Sequence, residues 1–305
     1  MIFFLNHCHR LTQFGTGWYG LVAARTYLRL RPNVNLVIID SDTSVGGVWS
    51  EDRLYENLVA QVNLGLFNYI DTPMPATGMN DEGQVTGRMI HGYLQKYAQD
   101  HDLIRRIRFR TFVQKVERSP DGAGWRLHFK DQDNFLDTEK LMVATGVTSI
   151  PHLPECIWED VQVPVVHSRD FGQSYDELQD PKYECVTVVG AAKSAYDAVY
   201  LLLTMGKKVH WIIRPDGAGP LAILPSKLLG YWTSIGVAST RLMTCLSPSI
   251  FNTHGIVYHF FQRTRPGLWA TGKFWDTVAY LSDAHAGYEQ GDHVAGLRPE
   301  IDGKR

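Results

Sequence analysis

Residues 12–22 read TQFGTGWYGLV, and Gly15, Gly17 and Gly20 stand at the G-x-G-x-x-G spacing of a turn that passes a strand into a helix. Each glycine has a physical task there. Gly15 permits the tight bend, Gly17 lets backbone approach a pyrophosphate, and Gly20 lets helix pack closely on strand. The helix start then offers free N–H groups and a partial positive charge to phosphate. A buried apolar strand should precede such a turn. Here the lead-in is HCHRLTQF, whose only large apolar side chains are Leu11 and Phe14. The expectation is a poor first strand, with the cradle's geometry present and its grip on a ligand weak.

Downstream of the turn the pattern is regular. YGLVAARTYLRL carries Leu21, Ala24 and Leu28 at helical spacing and stops at Arg31-Pro32-Asn33. VNLVIID then reads as a short parallel strand covered on both faces. Asp40 ends it, twenty residues after Gly20, where an acid binds ribose hydroxyls. With helix, strand and spaced acid added, the glycines predict nucleotide binding. MIHGYLQKYAQDHDL reads as an amphipathic helix, FVQKVERSPDGAGWRLHF as a hairpin, and EKLMVATG as a buried strand.

After the Pro-punctuated SIPHLPE the pattern restarts. CVTVVG is a strand, KSAYDAVYLLLTM a helix with Gly206 as its C-cap, and KVHWIIR the next strand. This second βαβ unit keeps Gly190 of the three glycines; Ala192 and Ala195 fill the other places. Lys193 and Ser194 offer a charge and a hydroxyl in compensation. Arg214 ends the following strand, where an arginine suits a 2′-phosphate and a solvated strand-end arginine is the plainer alternative. From about Asp216 the pattern dissolves into aromatic-rich loops, short helices and a polar tail, RPEIDGKR.

Other features are weaker. SVGGVWS puts Gly46, Gly47 and Trp49 just past Asp40, and from spacing alone this is a β-turn with one packed Trp. VATG places Thr145 and Gly146 at the C-terminal end of a buried strand, as a ligand edge or a simple turn would have them. His7, Cys8 and His9 are metal-type side chains, but neighbours in an extended chain point to opposite faces and the remaining ligands of a zinc site are missing. An irregular N-terminus is expected there. His167 reads as an ordinary hydrogen-bonded histidine, and Trp269, Phe274, Trp275 and Tyr280 as core or domain-interface packing.

The composition bounds the classes. A chain of 305 residues with 44% hydrophobic and 20% charged residues suits two globular domains. A formal net charge of −2 with no basic block argues against a nucleic-acid partner. No run approaches the roughly 18 apolar residues of a membrane span. Cys8, Cys156, Cys185 and Cys245 form no C-x-x-C, so neither a disulfide frame nor a dithiol redox centre is expected, and the default compartment is the cytoplasm.

From about Phe14 onward the motifs GTGWYGLVAA, SVGGVW, MIHGYLQKYA, LMVATGVTSIPHLP, VVHSRDF and VVGAAKSAYDAV…WIIRPDG stand in the order and separations of one family. Collectively the sequence resembles the flavin-containing monooxygenases of fungal type. The resemblance implies an α/β fold of two Rossmann-like dinucleotide-binding domains with a β-hairpin or meander insertion. Residues 1–163 would bind FAD and residues 164–305 NADPH. FAD would be held by Gly15, Gly17, Trp18, Tyr19, Gly20, Asp40, Gly47, Trp49, Val113, Thr145 and Gly146. NADPH would be held by Gly190, Lys193, Ser194 and Arg214. In such enzymes NADPH reduces the flavin, O₂ adds to give a C4a-hydroperoxyflavin, and a small organic substrate is oxygenated while water is excluded.

The resemblance also shows departures. The family's F-x-G-x-x-x-H-x-x-x-[YF] sequence falls on Val161, Val163, His167 and Phe171, with both leading positions valine. Phe171 leans toward N- or S-oxygenation rather than Baeyer–Villiger insertion. An asparagine that follows the family's YPGL segment is Gln61 in YENLVAQ, the candidate catalytic amide. The family's chain continues beyond this one, so the sequence reads as an N-terminal portion. The rival readings are a catalytically inactive nucleotide-binding remnant and a Baeyer–Villiger-type enzyme.

Overall fold

A computed structural model describes residues 9–62, 64–81, 83–130, 134–147, 150–153, 161–214, 223–225, 227–228, 230–247 and 254–286. His7, Cys8, Cys156 and the tail RPEIDGKR lie outside the described residues, as do parts of SIPHLPE and of the stretch from Asp216. The chain divides into two compact units, Met1–Leu178 and Gln179–Arg305. Residues 164–178, which the motif order groups with the second domain, belong to the first unit.

In the first unit, strand β1 (His9–Phe14) leads through the glycine turn into helix α1 (Trp18–Leu30) and strand β2 (Leu36–Ile39). Helix α2 (Gly87–Asp100) follows, then β3 (Ile107–Arg108), β4 (Val113–Arg118), β5 (Trp125–Phe129), β6 (Phe135–Val143) and the short α3 (Tyr175–Gln179). The sheet order is β3-β2-β1-β6-β5-β4. β3, β2, β1 and β6 are mutually parallel, and β5 and β4 return antiparallel as the expected meander. Phe14 is in register with Ile39 on one side and Val143 on the other, so three parallel strands end at one edge. That edge, at the C-terminal ends of the strands, is where open α/β sheets place ligands.

The expectation of a poor first strand is corrected, and of the irregular start only His9 lies among the described residues, inside the strand. β1 begins at His9 and runs through the middle of the sheet, with Leu11, Thr12, Gln13 and Phe14 all buried. Alternation explains how. Leu11 joins Leu21, Ile38 and Leu94 in the core under the helices, while Phe14 joins Val37, Ile39 and Leu127 on the meander side. Gln13 lies buried because its amide has carbonyls to meet: Nε2 donates to Gly15 O at 3.1 Å and to Gly20 O at 2.9 Å.

Both helices form where the sequence predicts. α1 buries Leu21 and Ala24 and ends where Pro32 can give no N–H. α2 starts at the N-cap Thr86, whose side chain accepts from Met89 N–H, and buries Ile90, Tyr93, Leu94 and Tyr97 along one stripe.

In the second unit, β7 (Cys185–Val189), α4 (Lys193–Thr204) and β8 (Lys208–Ile212) make a parallel βαβ crossover with five residue pairs in register. Gly206, at φ +76°, follows the end of α4 as expected. A two-stranded antiparallel pair of β9 (Lys227–Leu228) and β10 (Trp232–Thr233) precedes α5 (Ser234–Ala238), α6 (Arg241–Leu246), α7 (Ile256–Arg263) and α8 (Arg265–Ala286). α5, α6 and α7 are short as expected, whereas α8 departs from that expectation and runs for 22 residues. It turns directly out of α7 because Gly267 lets it approach the Phe260 carbonyl, which an added Cβ would meet at 1.8 Å. The packing expected of its aromatics holds only in part. Trp275 donates its indole N–H to Leu246 O, whereas Trp269 and Tyr280 are exposed. No described helix is long and apolar enough to cross a membrane.

Candidate functional site

Three loops leave the C-terminal edge of the first sheet, and they interlock backbone to backbone. Gly15 closes β1 at φ +91°, donating its N–H to Ile39 O, and a Cβ there would stand 2.2 Å from Ala144 O in the VATG loop. Gly20 lies so close beneath that its Cβ would meet Gly15 O at 2.1 Å. Gly47, at φ +60°, sits with its Cβ position 3.2 Å from Gly17 Cα, and Gly46 N–H donates to Thr16 O at 3.0 Å. Side chains longer than hydrogen would push these loops apart. The turns that spacing alone left as ordinary, SVGGVW and VATG, are thus two walls of one cradle.

Gly17 is the N-cap of α1, with no side-chain cap and no acid in the first turn. The first N–H groups of a helix have no partner within it, the arrangement that attracts an anion. Tyr19 is exposed at the helix start. Trp18 turns the other way into an aromatic cluster, edge-on to Phe67 at 4.6 Å and to Tyr69 at 5.1 Å. Trp49 meets Phe67 edge-on at 5.8 Å, and its carbonyl lies 3.1 Å from His91 Nδ1. The Tyr69 hydroxyl donates to Trp18 O at 2.6 Å, and the Tyr93 hydroxyl donates to Thr72 O at 2.6 Å. The helix start is therefore held from behind by aromatic packing and a phenol.

Burial raises the Tyr69, Tyr93 and Tyr97 phenols above the ordinary tyrosine range, helped at Tyr69 by the neighbouring phenols. An unfolded chain ionises its tyrosines near pH 10. The folded phenols hold their protons longer, so stability is complete below about pH 10 and falls as pH rises above it. Tyrosinate absorbance followed beside circular dichroism should show these three ionising at higher pH than exposed tyrosines.

Asp40, at the end of β2, is buried and turned toward the glycine turn. Its Oδ2 accepts from Thr16 N–H at 2.7 Å and from the Thr16 hydroxyl at 2.6 Å, and its Oδ1 accepts from Asp42 N–H at 3.0 Å. Thr111 N–H donates to Asp40 O, which brings the start of β4 and half-buried Val113 beside the same edge. Thr145 and Gly146 follow β6 and are exposed there, Gly146 at φ +74°. Gln61 is exposed on a bend beside Ala60.

Sequence reasoning missed a second polar group at this edge. Arg53 donates to both oxygens of Asp42, at 3.0 and 2.8 Å, and Arg169 reaches Asp42 Oδ1 at 3.3 Å. Arg169 follows His167, whose Nδ1 accepts from Arg169 N–H at 3.1 Å, so the histidine is a hydrogen-bonded cap. Phe171 is buried edge-on to Tyr55 at 5.2 Å, while Val161 and Val163 are exposed. The signal available in the sequence was the second acid, two residues after Asp40.

In the second unit Gly190 leaves β7 at φ +129°, donates to Ile212 O and accepts the Trp211 indole N–H at 2.7 Å. Ala192 is the N-cap of α4 and supplies no side-chain cap. Lys193 pairs with Asp197 one turn along. Ser194 is exposed, as is Arg214, two residues beyond the end of β8. No metal-type cluster of His, Cys, Asp and Glu occurs among the described residues.

Comparison with known proteins agrees with this architecture. Residues 32–240 match the model of the pyridine nucleotide-disulphide oxidoreductase family. The FAD-dependent monooxygenase DEP4 of Alternaria brassicicola is 42% identical over 286 residues, covering 93% of this chain and 49% of that protein. The chain spans about half the length of the curated relatives it matches. A variant of the flavin monooxygenase of Stenotrophomonas maltophilia has the same fold with a TM-score of 0.52, at 22% identity, over 67% of this chain and 56% of that one. An oxidized steroid monooxygenase bound to NADP gives a TM-score of 0.56 at 21% identity, over 68% of this chain and 39% of that one.

Proposed function

The chain belongs to the pyridine nucleotide-disulphide oxidoreductase family, and on that premise we propose that it is the nucleotide-binding portion of a flavin-dependent monooxygenase. In this reading the first unit, Met1–Leu178, holds FAD, the second, Gln179–Arg305, holds NADPH, and a small organic substrate is oxygenated at nitrogen or sulfur with O₂. The observation that carries it is the interlock of three loops at one sheet edge: Gly15 against Ala144, Gly17 against Gly47 and Gly20 against Gly15. A cradle in which a Cβ at Gly15 or Gly20 would run into backbone, beside an uncapped helix start, fits a dinucleotide pyrophosphate. Bound flavin would supply hydride acceptance from NADPH and the activation of O₂.

The chain's own residues would bind and orient. Gly15, Gly17 and the first N–H groups of α1 (Trp18, Tyr19, Gly20) face the phosphates, and Asp40 faces the ribose. Gly47 and Trp49 wall the turn, with Val113, Thr145 and Gly146 along its rim. Gln61 would offer an amide N–H to the flavin. Gly190 and the start of α4, with Ser194 and Arg214, would receive NADPH; Lys193 would do so on release from Asp197. Disulfide reduction has no support, since the four cysteines form no C-x-x-C. The same cysteine usage suits the cytoplasm.

Purification of the chain with added FAD tests the reading. The expected result is a yellow protein with flavin absorbance that oxidises NADPH faster in the presence of O₂. No retained flavin overturns the proposal; retained flavin without NADPH turnover supports the inactive-remnant reading instead.

A further inference from the structure

We infer that Thr16 limits Asp40 to one hydroxyl of a nucleotide ribose, so that this site reads half of the vicinal diol. The inference rests on the proposed FAD site. An ionised carboxylate has about four acceptor positions, two on each oxygen. Three are filled by the chain itself. Oδ2 takes both the backbone N–H and the hydroxyl of Thr16, at 2.7 and 2.6 Å, and Oδ1 takes Asp42 N–H at 3.0 Å. One position remains, on Oδ1.

A ribose presents two adjacent hydroxyls, and bidentate recognition would need one position on each oxygen. The two backbone donors are held in place, Thr16 by Gly15 N–H on Ile39 O and by its own carbonyl on Gly46 N–H, and Asp42 by its carbonyl on Arg110 N–H. The Thr16 hydroxyl is the remaining occupant, and it depends on a side chain. Nothing in the turn itself asks for threonine there; the middle position of G-x-G is free in type. Thr16 is fully buried, so its hydroxyl is held against Oδ2 rather than turned to solvent. Its hydroxyl therefore competes with a ligand for the carboxylate while bracing the turn.

The test is a binding titration, read by flavin fluorescence, of FAD and of its two analogues with 2′-deoxyadenosine or 3′-deoxyadenosine. In the unaltered chain one analogue should bind roughly tenfold to a hundredfold more weakly than FAD, the value of a hydrogen bond to a charged acceptor, and the other within about twofold. Thr16→Val keeps the shape and removes the hydroxyl. In that variant both analogues should lose roughly tenfold or more, and FAD itself should bind roughly tenfold more tightly. Thr16→Ser should behave as the unaltered chain. Equal losses from both analogues in the unaltered chain, or no loss from either, overturn the inference without need of any variant. So does an unchanged one-sided profile in Thr16→Val. Failure of both chains to bind FAD fails the site as well as the inference, whereas FAD binding with a symmetric profile fails the inference alone.

Discussion

Gly15→Ala should cost the first unit about 3 kcal/mol of stability or more, and with it the flavin. Two penalties coincide at this position. Its φ of +91° is strained for any L side chain, and the new methyl would lie 2.2 Å from a backbone carbonyl, Ala144 O. That oxygen cannot swing away as a side chain would, because Ala144 N–H is bonded to Phe14 O. Relief requires β6 to separate from β1 at the very edge that forms the cradle. Gly146→Ala is the control. Gly146 also has a positive φ, +74°, but nothing lies within 4 Å of its Cβ position, so the expected cost is only about 1 kcal/mol. Urea unfolding of the two variants, with flavin content measured on each, checks the difference. Equal costs would mean that strain alone, and not the loop contact, sets the requirement for glycine.

The second large effect is expected at Asp42. Its side chain is 10% exposed and that of Arg53 12% exposed, so the pair is nearly removed from water. Asp42→Ala would leave the Arg53 guanidinium buried without its carboxylate, at a cost of about 3 kcal/mol. Replacing both partners with apolar residues of similar volume should recover most of that loss, because two charges would then no longer be held out of water. Asp42 also holds Arg169, so the single variant should free the His167–Phe171 segment locally. Limited proteolysis near those residues should accelerate in Asp42→Ala, and denaturant melts of the single and double variants give the energies. A single variant as stable as the parent would show that Arg53 reaches solvent when released.

Much of the first unit was legible because its signals are local. Leu21 and Ala24 at helical spacing, the continuous Leu36–Ile39 run and the Pro-Asp-Gly hairpin each specify an element from neighbouring residues. β1 was misjudged because the apolar count ignores what a polar side chain can meet. Gln13 is tolerated in a central strand through two carbonyls, one of them seven residues away. The Asp42–Arg53–Arg169 group was illegible for a similar reason: its partners lie 11 and 127 residues apart and meet only in the fold. Within the cradle, the glycines announced themselves by spacing, but Thr16 did not, since a hydroxyl between two glycines has no meaning until Asp40 is beside it. In the second unit, α8 was read as short helices because its glycines and exposed aromatics blur the stripe that normally marks a long one.

The Gln13 amide has a kinetic consequence. By bonding Gly15 O and Gly20 O together, it ties the exit of the strand to the first turn of the helix from inside the core. A glycine-rich loop without such a tie samples many shapes and must be ordered by its ligand, at an entropic cost in each association. Here that ordering belongs to folding instead. Capture of a dinucleotide would then be limited by encounter and orientation rather than by rearrangement of the turn, and differences in affinity among variants of the cradle would be written mainly in how long the ligand stays.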